Sequence, residues 1–100
     1  MSDQNVFKAL SDPTRREILK KLASGSQSAG ELAETFHISK PSMSHHFNVL
    51  KAAELVRSQR EGQSIVYTLN STVLEDATRM LMDIFNYQRE STKEGVGDET

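Results

Sequence analysis

Apolar residues recur every three or four positions along the first half of the chain, which is the spacing typical of amphipathic helices. A first short stripe lies within residues 6–10. Asp12 and Pro13 then supply a capping side chain and a proline at the first helical position. We therefore expect a second helix from Pro13, with apolar positions through Leu22 and an end at Gly25.

Two further helices are predicted on either side of a short break. Ser28 and Glu31 have the spacing of a capping box, which opens a third helix. The break is His37-Ile38-Ser39, where Ser39 can cap a fourth helix that runs to about Ala53. Two helices of this length joined by so tight a connection are typical of a helix-turn-helix.

Alternating residues after the fourth helix predict a β-hairpin. A strand begins at Leu55-Val56, Glu61-Gly62 forms the turn, and apolar residues alternate from Ile65 to Leu69 on the returning strand. A fifth helix follows the hairpin. Its apolar positions are Val73, Leu74, Ala77, Met80, Leu81, Ile84 and Phe85.

The predicted fold is mainly α with a β-hairpin wing, a winged helix-turn-helix in the order α-α-α-α-β-β-α. Residues 1–88 are expected to form one DNA-binding and dimerisation domain, since 100 residues suit a single small domain. Residues 89–100 are polar and contain two glycines, so we expect them to form a disordered tail. A chain this short buries a limited core, and a dimer would complete it.

Charge is distributed unevenly along the chain. The net charge is −2, but residues 1–70 carry nine basic and seven acidic side chains, and residues 71–100 carry three and seven. Between His37 and Arg60 there are four basic residues and one acidic residue. This local positive excess suits a surface that faces phosphates.

Several classes of function are excluded by what the sequence lacks. It contains no cysteine, so a disulfide framework, a thiolate zinc site and a cysteine nucleophile are excluded. No serine/histidine/acid set, paired-carboxylate cleft or glycine-rich phosphate loop is evident, and we do not expect an enzyme. With no signal-like start and no run of eighteen apolar residues, a cytoplasmic protein without membrane insertion is expected.

The fourth helix has an apolar face and a polar face. A helical turn of about 100° per residue aligns Met43, Phe47 and Leu50 as a buried stripe. An ordinary solvated surface would explain the opposite face, but short polar side chains at a helix N-terminus beside a wing are also what a major groove admits. The predicted recognition residues are Lys40, Pro41, Ser42, Ser44, His45 and Asn48.

The wing and the histidines complete the candidate site. Arg57, Arg60 and Gln63 flank the hairpin turn, where arginine suits phosphates or a narrow minor groove. His45 and His46 point about 100° apart on a helix and cannot grip one metal ion together. We expect His45 to face outward and His46 to be a partly buried, hydrogen-bonded histidine.

The fifth helix has more apolar positions than packing on so small a body requires. One broad core face would account for them, and a ligand or lipid groove is a further alternative. We expect some of them to face a second copy, because Leu81, Ile84 and Phe85 have no obvious full set of partners within the chain.

Three segments together resemble the ArsR (SmtB/ArsR) family of winged-helix repressors, over about residues 5–87. They are FKALSDPTRREILKKL, ELAETFHISKPSMSHHFNVLKAAELV and REGQSIVYTL. The chain is most similar to the metal-free autorepressor branch. The resemblance implies recognition helices in successive major grooves of an inverted repeat, wings on backbone or minor groove, and a dimer formed by the first and last helices. The interface residues would be Val6, Phe7, Leu10, Val73, Ala77, Leu81, Ile84 and Phe85.

Departures from the family pattern affect the metal site and the wing. Metal-sensing members place cysteines in the third helix, where this chain has residues 31–35, ELAET. The last helix offers carboxylates but no histidine, so no metal cofactor is expected. Gln63 stands where many relatives have a basic wing residue, and Glu54 stands where many have a small or polar one, which predicts a weaker wing contact.

The sequence thus predicts a homodimeric repressor that binds double-stranded DNA at an inverted-repeat operator, with its own promoter as one candidate target, and that does not respond to metal. The alternative is a protein-interaction module sequestered by a sensor or membrane partner. In that case the acidic tail and the apolar last helix would recruit a protein partner that relieves repression. Retention on nonspecific DNA with a steep salt dependence separates the two.

Overall fold

The computed structural model describes residues 3–96 of the chain, with side chains described over residues 4–86. Helices and strands follow the predicted order, with one additional short strand. The elements are α1 (Asp3–Leu10), α2 (Pro13–Ala23), β1 (Gln27–Ser28), α3 (Ala29–Phe36), α4 (Lys40–Ala52), β2 (Val56–Glu61), β3 (Ser64–Leu69) and α5 (Ser71–Val96).

Capping side chains begin α2, α3 and α4 where the sequence predicted. Asp12 Oδ1 accepts from the backbone N–H of Thr14 at 2.7 Å and of Arg15 at 3.2 Å. Ser28 forms a complete capping box at α3. Ser39 Oγ accepts from the backbone N–H of Ser42 at 3.3 Å. Each cap satisfies an N–H group that has no partner within its own helix.

The strands form an antiparallel sheet in the order β1-β3-β2. The sequence did not predict β1, because two residues are too short to show an alternating pattern. Gln27 pairs with Tyr67, and the hydroxyls of Ser26 and Thr68 lie 2.9 Å apart beside that pairing. This edge strand joins the start of α3 to the base of the hairpin.

The hairpin turn lies one residue later than predicted. Glu61 still pairs with Ser64 as the last rung, so the connecting residues are Gly62 and Gln63. Gly62 has a φ of 63°, in the left-handed region that glycine adopts without steric cost. A two-residue connection with positive φ matches the twist of the paired strands.

The core is continuous from α1 to the start of α5. The α4 residues Met43, Phe47 and Leu50 are buried, as predicted, and the ring of Phe47 stacks on Tyr67 with centroids 4.1 Å apart. This contact fixes α4 against β3 and thereby sets the position of α4 relative to the hairpin. The other buried apolar residues are Val6, Ala9, Ile18, Leu19, Leu22, Leu32, Ala53, Leu55, Val56, Val73 and Ala77.

Over the part of helix α5 whose side chains are described, the buried residues lie at its beginning. Val73 and Ala77 are buried, whereas the side chains from Leu81 to Asn86 are exposed. The helix continues to Val96, so residues 89–96 are helical where the sequence predicted a disordered tail. Arginine, lysine and glutamate in that stretch favour a helix, and the polar composition concealed this propensity. Residues 97–100 of the predicted tail lie outside the described residues.

No helix within residues 3–96 is both long and apolar enough to cross a bilayer.

Candidate nucleic-acid interface

Helix α4 presents a continuous polar surface opposite its buried stripe. Its N-terminal end is fixed by the Ser39 cap, and Pro41 lies in the first turn, where its missing N–H costs no hydrogen bond. The exposed surface has short or flexible side chains near the N-terminus of the helix. All six predicted recognition residues are exposed on it: Lys40, Pro41, Ser42, Ser44, His45 and Asn48.

The wing places its two arginines on opposite faces. Arg60 pairs with Ile65, and Arg57 pairs with Thr68. Because side chains alternate along a strand, Arg60 shares the face of Ser58 and Tyr67, which is the face that packs on α4. Arg57 lies on the other face, near the base of the hairpin. The sequence had grouped the two arginines, and the structure does not bring them together.

The basic residues of this side of the molecule are available to an external anion. Lys40, Arg57 and Arg60 are exposed, and none of them forms an ion pair within the described residues. An open cleft of about 390 Å³ lies between α4 and the wing, with Lys40, Ser44 and Gln63 along its margin. Its polar margin and the neighbouring cations suit a sugar-phosphate backbone.

The two adjacent histidines have different environments, as predicted. His45 is exposed, whereas His46 is partly buried and its Nδ1 lies 3.2 Å from Arg15 Nη1. Burial lowers the pKa of His46 below 6.5; Asp12 opposes this shift, and the charges of Arg15 and His45 add to it. Within the described residues, no three side chains of metal-ligating type converge on one point.

Arg15 is the residue of this region that the sequence analysis missed. It is only 7% exposed, and it donates from Nε to the carbonyl of Ala9 at 2.8 Å and from Nη2 to the carbonyl of Lys8 at 3.0 Å. A signal was present in the sequence, because Arg15 precedes Ile18 and Leu22 by three and seven positions and so belongs to their buried stripe.

Asp12 completes this polar cluster between α1, α2 and α4. Burial acts to raise the pKa of its carboxyl group, but the N–H donors of Arg15 and Thr14 and the charges of Arg15 and His46 outweigh it. The pKa therefore lies below the ordinary 3.8. The carboxylate thus acts both as the cap of α2 and as the negative charge that offsets Arg15.

The predicted dimer residues fall into two groups. Val6, Val73 and Ala77 lie in the chain's own core, where they are not available as surface contacts. Their apolar character serves the packing of α1 and α5 on the body, which the sequence pattern could not separate from packing on a partner. The remaining residues are half-buried or exposed: Leu10, Phe7 at 37%, Leu81 at 50%, Ile84 at 57% and Phe85 at 51%.

Comparison with known proteins agrees with this geometry. The sequence profile described as "Bacterial regulatory protein, arsR family" matches residues 12–58, from the cap of α2 into the wing. The transcriptional repressor SdpR of Bacillus subtilis is 55% identical over 82 residues, covering 82% of this chain and 91% of that protein. The chain belongs to the ArsR family.

Other ArsR-family relatives extend the likeness. An arsenical resistance operon repressor of Staphylococcus xylosus is 41% identical over 81% of this chain and 77% of its own length. A solved ArsR-like transcriptional regulator from Rhodococcus superposes with a TM-score of 0.79 at 33% identity, covering 97% of this chain and 94% of that one. The expected winged helix-turn-helix fold is confirmed, as is the expectation of a transcriptional repressor that binds double-stranded DNA and is not an enzyme.

Proposed function

We propose that this ArsR-family repressor acts as a homodimer on an inverted-repeat operator, with one α4 helix in each of two successive major grooves. The observation that carries the proposal is the exposed polar face of α4, held by the Phe47–Tyr67 stack beside Arg60 of the wing, which has no ion-pair partner among residues 4–86. Half-sites read by a dimeric helix-turn-helix lie about 34 Å apart, or one turn of the duplex.

Residues of α4 and the wing divide between recognition and attachment. Ser44, His45 and Asn48 carry hydrogen-bonding groups on the outward face of α4, the types that read base edges. Lys40 and Arg60 carry positive charges and suit phosphate contacts, as a compact ammonium and a planar guanidinium respectively. We place Arg60 closer to the duplex than Arg57, because Arg60 lies on the wing face turned toward α4.

The exposed apolar side chains of α5 support a second copy of this chain as the partner. Leu81 and Ile84 are half-exposed and extend, beyond the core of the chain, the apolar stripe of α5 whose first part, Val73 and Ala77, is buried. Phe7 on α1 is also exposed. A contiguous apolar surface of this kind marks an interaction site, and two-fold pairing of one face with itself is the commonest arrangement for soluble oligomers.

Independence from metal is part of the proposal. The chain has no cysteine, α3 offers only the carboxylates Glu31 and Glu34, and α5 offers five carboxylates and no histidine: Glu75, Asp76, Asp83, Glu90 and Glu94. Soft thiolate or imidazole ligands are the usual basis for selecting thiophilic and transition metals. We expect zinc, cobalt or copper at low micromolar concentration to change DNA affinity by less than about tenfold.

The test selects bound sequences from a random DNA pool and from genomic fragments that include the chain's own promoter. An enriched inverted repeat, bound by a dimer in sedimentation, supports the proposal. Enrichment of single half-sites bound by a monomer contradicts the proposed dimer. If the protein shows no salt-dependent retention on any DNA tested, the DNA-binding role is contradicted. In that last case the α5 surface would be expected to bind another protein.

A further inference from the structure

A buried arginine links α1 to the recognition helix. Arg15 reaches the last carbonyls of α1 with Nε and Nη2 and reaches His46 of α4 with Nη1. The three polar contacts of one rigid, planar group thus connect the C-terminus of one helix to the middle of another. Of the polar side-chain contacts described for α4, this is the one that fixes it to another helix.

The contact defines the protonation state of His46. A guanidinium group has donors only and stays charged in proteins, so the ring nitrogen 3.2 Å from Arg15 Nη1 must offer its lone pair. His46 Nδ1 is therefore unprotonated, and the proton of the neutral ring is on Nε2. Adding a proton at Nδ1 would set two donors and two positive charges against each other.

The charged groups around His46 are few. Asp12 and Arg15 face it from the start of α2, and His45 faces it from α4 itself with ring centroids 5.8 Å apart. Helix α1 contributes carbonyl oxygens that Arg15 already occupies. Asp12 favours the protonated ring, but its carboxylate is engaged by the N–H groups of Thr14 and Arg15. The lowered pKa of His46 agrees with this balance.

We propose that Arg15 is a positioning residue for DNA recognition, which holds α4 on α1 through neutral His46, and that protonation of His46 breaks this contact and lets α4 shift on its core contacts away from its DNA-binding position. The inference rests on the proposed reading of DNA by α4. His45 and Asn48 flank this link along the helix, so a shift of α4 at His46 moves the side chains that would meet base edges.

The sign of the pH effect separates this device from simple electrostatics. Protonating a histidine near DNA normally adds a positive charge and strengthens binding to phosphate. Loss of the Arg15 contact acts in the opposite direction. Comparing wild type with His46→Asn isolates the effect of losing the Arg15 contact, because the asparagine Oδ1 can replace Nδ1 as an acceptor that does not become protonated.

The experiment measures affinity for the DNA fragment selected by wild type at pH 8, from pH 8 to pH 5 at constant ionic strength. We expect His46→Asn to match wild type at pH 8 and to bind about threefold or more tightly than wild type at pH 5. His37→Asn serves as the control, since it removes an exposed histidine outside the proposed interface at a position whose φ of 55° asparagine tolerates, and it should retain the acid-dependent loss. Circular dichroism checks that each protein stays folded.

A second pair of variants tests Arg15 itself. Arg15→Lys cannot reach all three acceptors and should weaken binding to the selected fragment about fivefold at pH 8, with less effect on random DNA. Arg16→Lys is the matched control, since exposed Arg16 also donates to α1, at the carbonyl of Leu10, and forms no hydrogen bond with α4 among the described residues.

Nitrogen NMR of the His46 imidazole ring in the wild-type protein tests the proposal without a variant that must fold. It should show unprotonated Nδ1 and protonated Nε2 at pH 7.5. The proposal is overturned if Nδ1 carries the proton, or if the ratio of wild-type to His46→Asn affinity stays constant with pH while wild type selects DNA. Failure of wild type to select any sequence contradicts the proposed function instead, and this inference with it.

Discussion

Two positions with nearly equal positive φ carry different residue types. Glu54, directly after α4, has a φ of 61°, and Gly62, in the wing turn, has a φ of 63°. A side chain in this left-handed region costs about 1–2 kcal/mol, whereas glycine adopts it freely. Exchanging the residue types should therefore stabilise the protein at one position and destabilise it at the other.

The expected change in the free energy of unfolding combines the cost of positive φ with the conformational freedom of the unfolded chain. Glu54→Gly relieves about 1–2 kcal/mol of strain, but the unfolded chain gains freedom worth about 0.5–1 kcal/mol, so we expect a net gain of about 0.5–1 kcal/mol. The backbone at Glu54 is held in place, because its N–H donates to Lys51 O at 2.9 Å and its carbonyl accepts from Asn70 Nδ2 at 3.0 Å.

Gly62→Ala tests the cost of a side chain at positive φ in the opposite direction, because it adds a Cβ where there was none. An added Cβ would meet no atom within 4 Å, so the cost comes from φ alone. We expect a loss of about 1 kcal/mol, the strain less the reduced freedom of the unfolded chain. Because the wing tip is far from the hydrophobic core, no repacking term should obscure the value.

Thermal unfolding by circular dichroism measures both variants at one fixed protomer concentration, since a dimer's midpoint depends on concentration. A change of about 1 kcal/mol corresponds to a shift of about 4–8 °C for a domain of this size. Glu54→Gln is the control that removes the charge and keeps the strain. The reasoning fails if Glu54→Gly lowers the midpoint, or if Gly62→Ala leaves it unchanged.

Three further predictions concern the site, the dimer and pH. Ser44→Ala should cost about 1–3 kcal/mol of binding free energy on the selected DNA and little on random DNA. Arg60→Ala should weaken binding to both DNAs and lower the slope of log affinity against log salt concentration by about one per subunit. Filter binding across a salt series measures both variants. Leu81→Asp should yield monomers in sedimentation if α5 forms the interface. Since the pKa of Asp12 is below its unfolded 3.8, its contribution is present above pH 3.8 and is lost as pH falls through the folded value, so stability should fall more steeply below pH 4 in wild type than in Asp12→Asn.

Features that depend on neighbouring residues were predictable from the sequence. The caps at Asp12, Ser28 and Ser39 act over three residues, so their spacing alone locates the helix starts. The buried stripe of α4 follows from helical periodicity in the same way. These local signals agree with one another, and together they defined the helix-turn-helix and the exposed recognition residues.

Features that depend on distant contacts were not predictable in the same way. The two residues of β1 are a strand only because β3 lies beside them. Glu54 adopts positive φ because α4 must end and β2 must begin at positions set by the core, and its residue type gives no sign of this. Arg15 is an intermediate case, since its place in an apolar stripe indicated burial but not the partner His46.

The apolar residues of α5 show what hydrophobic periodicity can predict and what it cannot. Their number indicated a second packing surface, but only the structure shows that the body ends after Ala77 and leaves Leu81 and Ile84 exposed. If a second copy covers these residues, α5 sets the distance between the two α4 helices, although it touches no DNA. Leu81→Asp should then abolish the preference for an inverted repeat over one half-site, while affinity for the single half-site persists. Equal loss on both would mean that α5 supports the fold of α4 rather than the spacing of the pair.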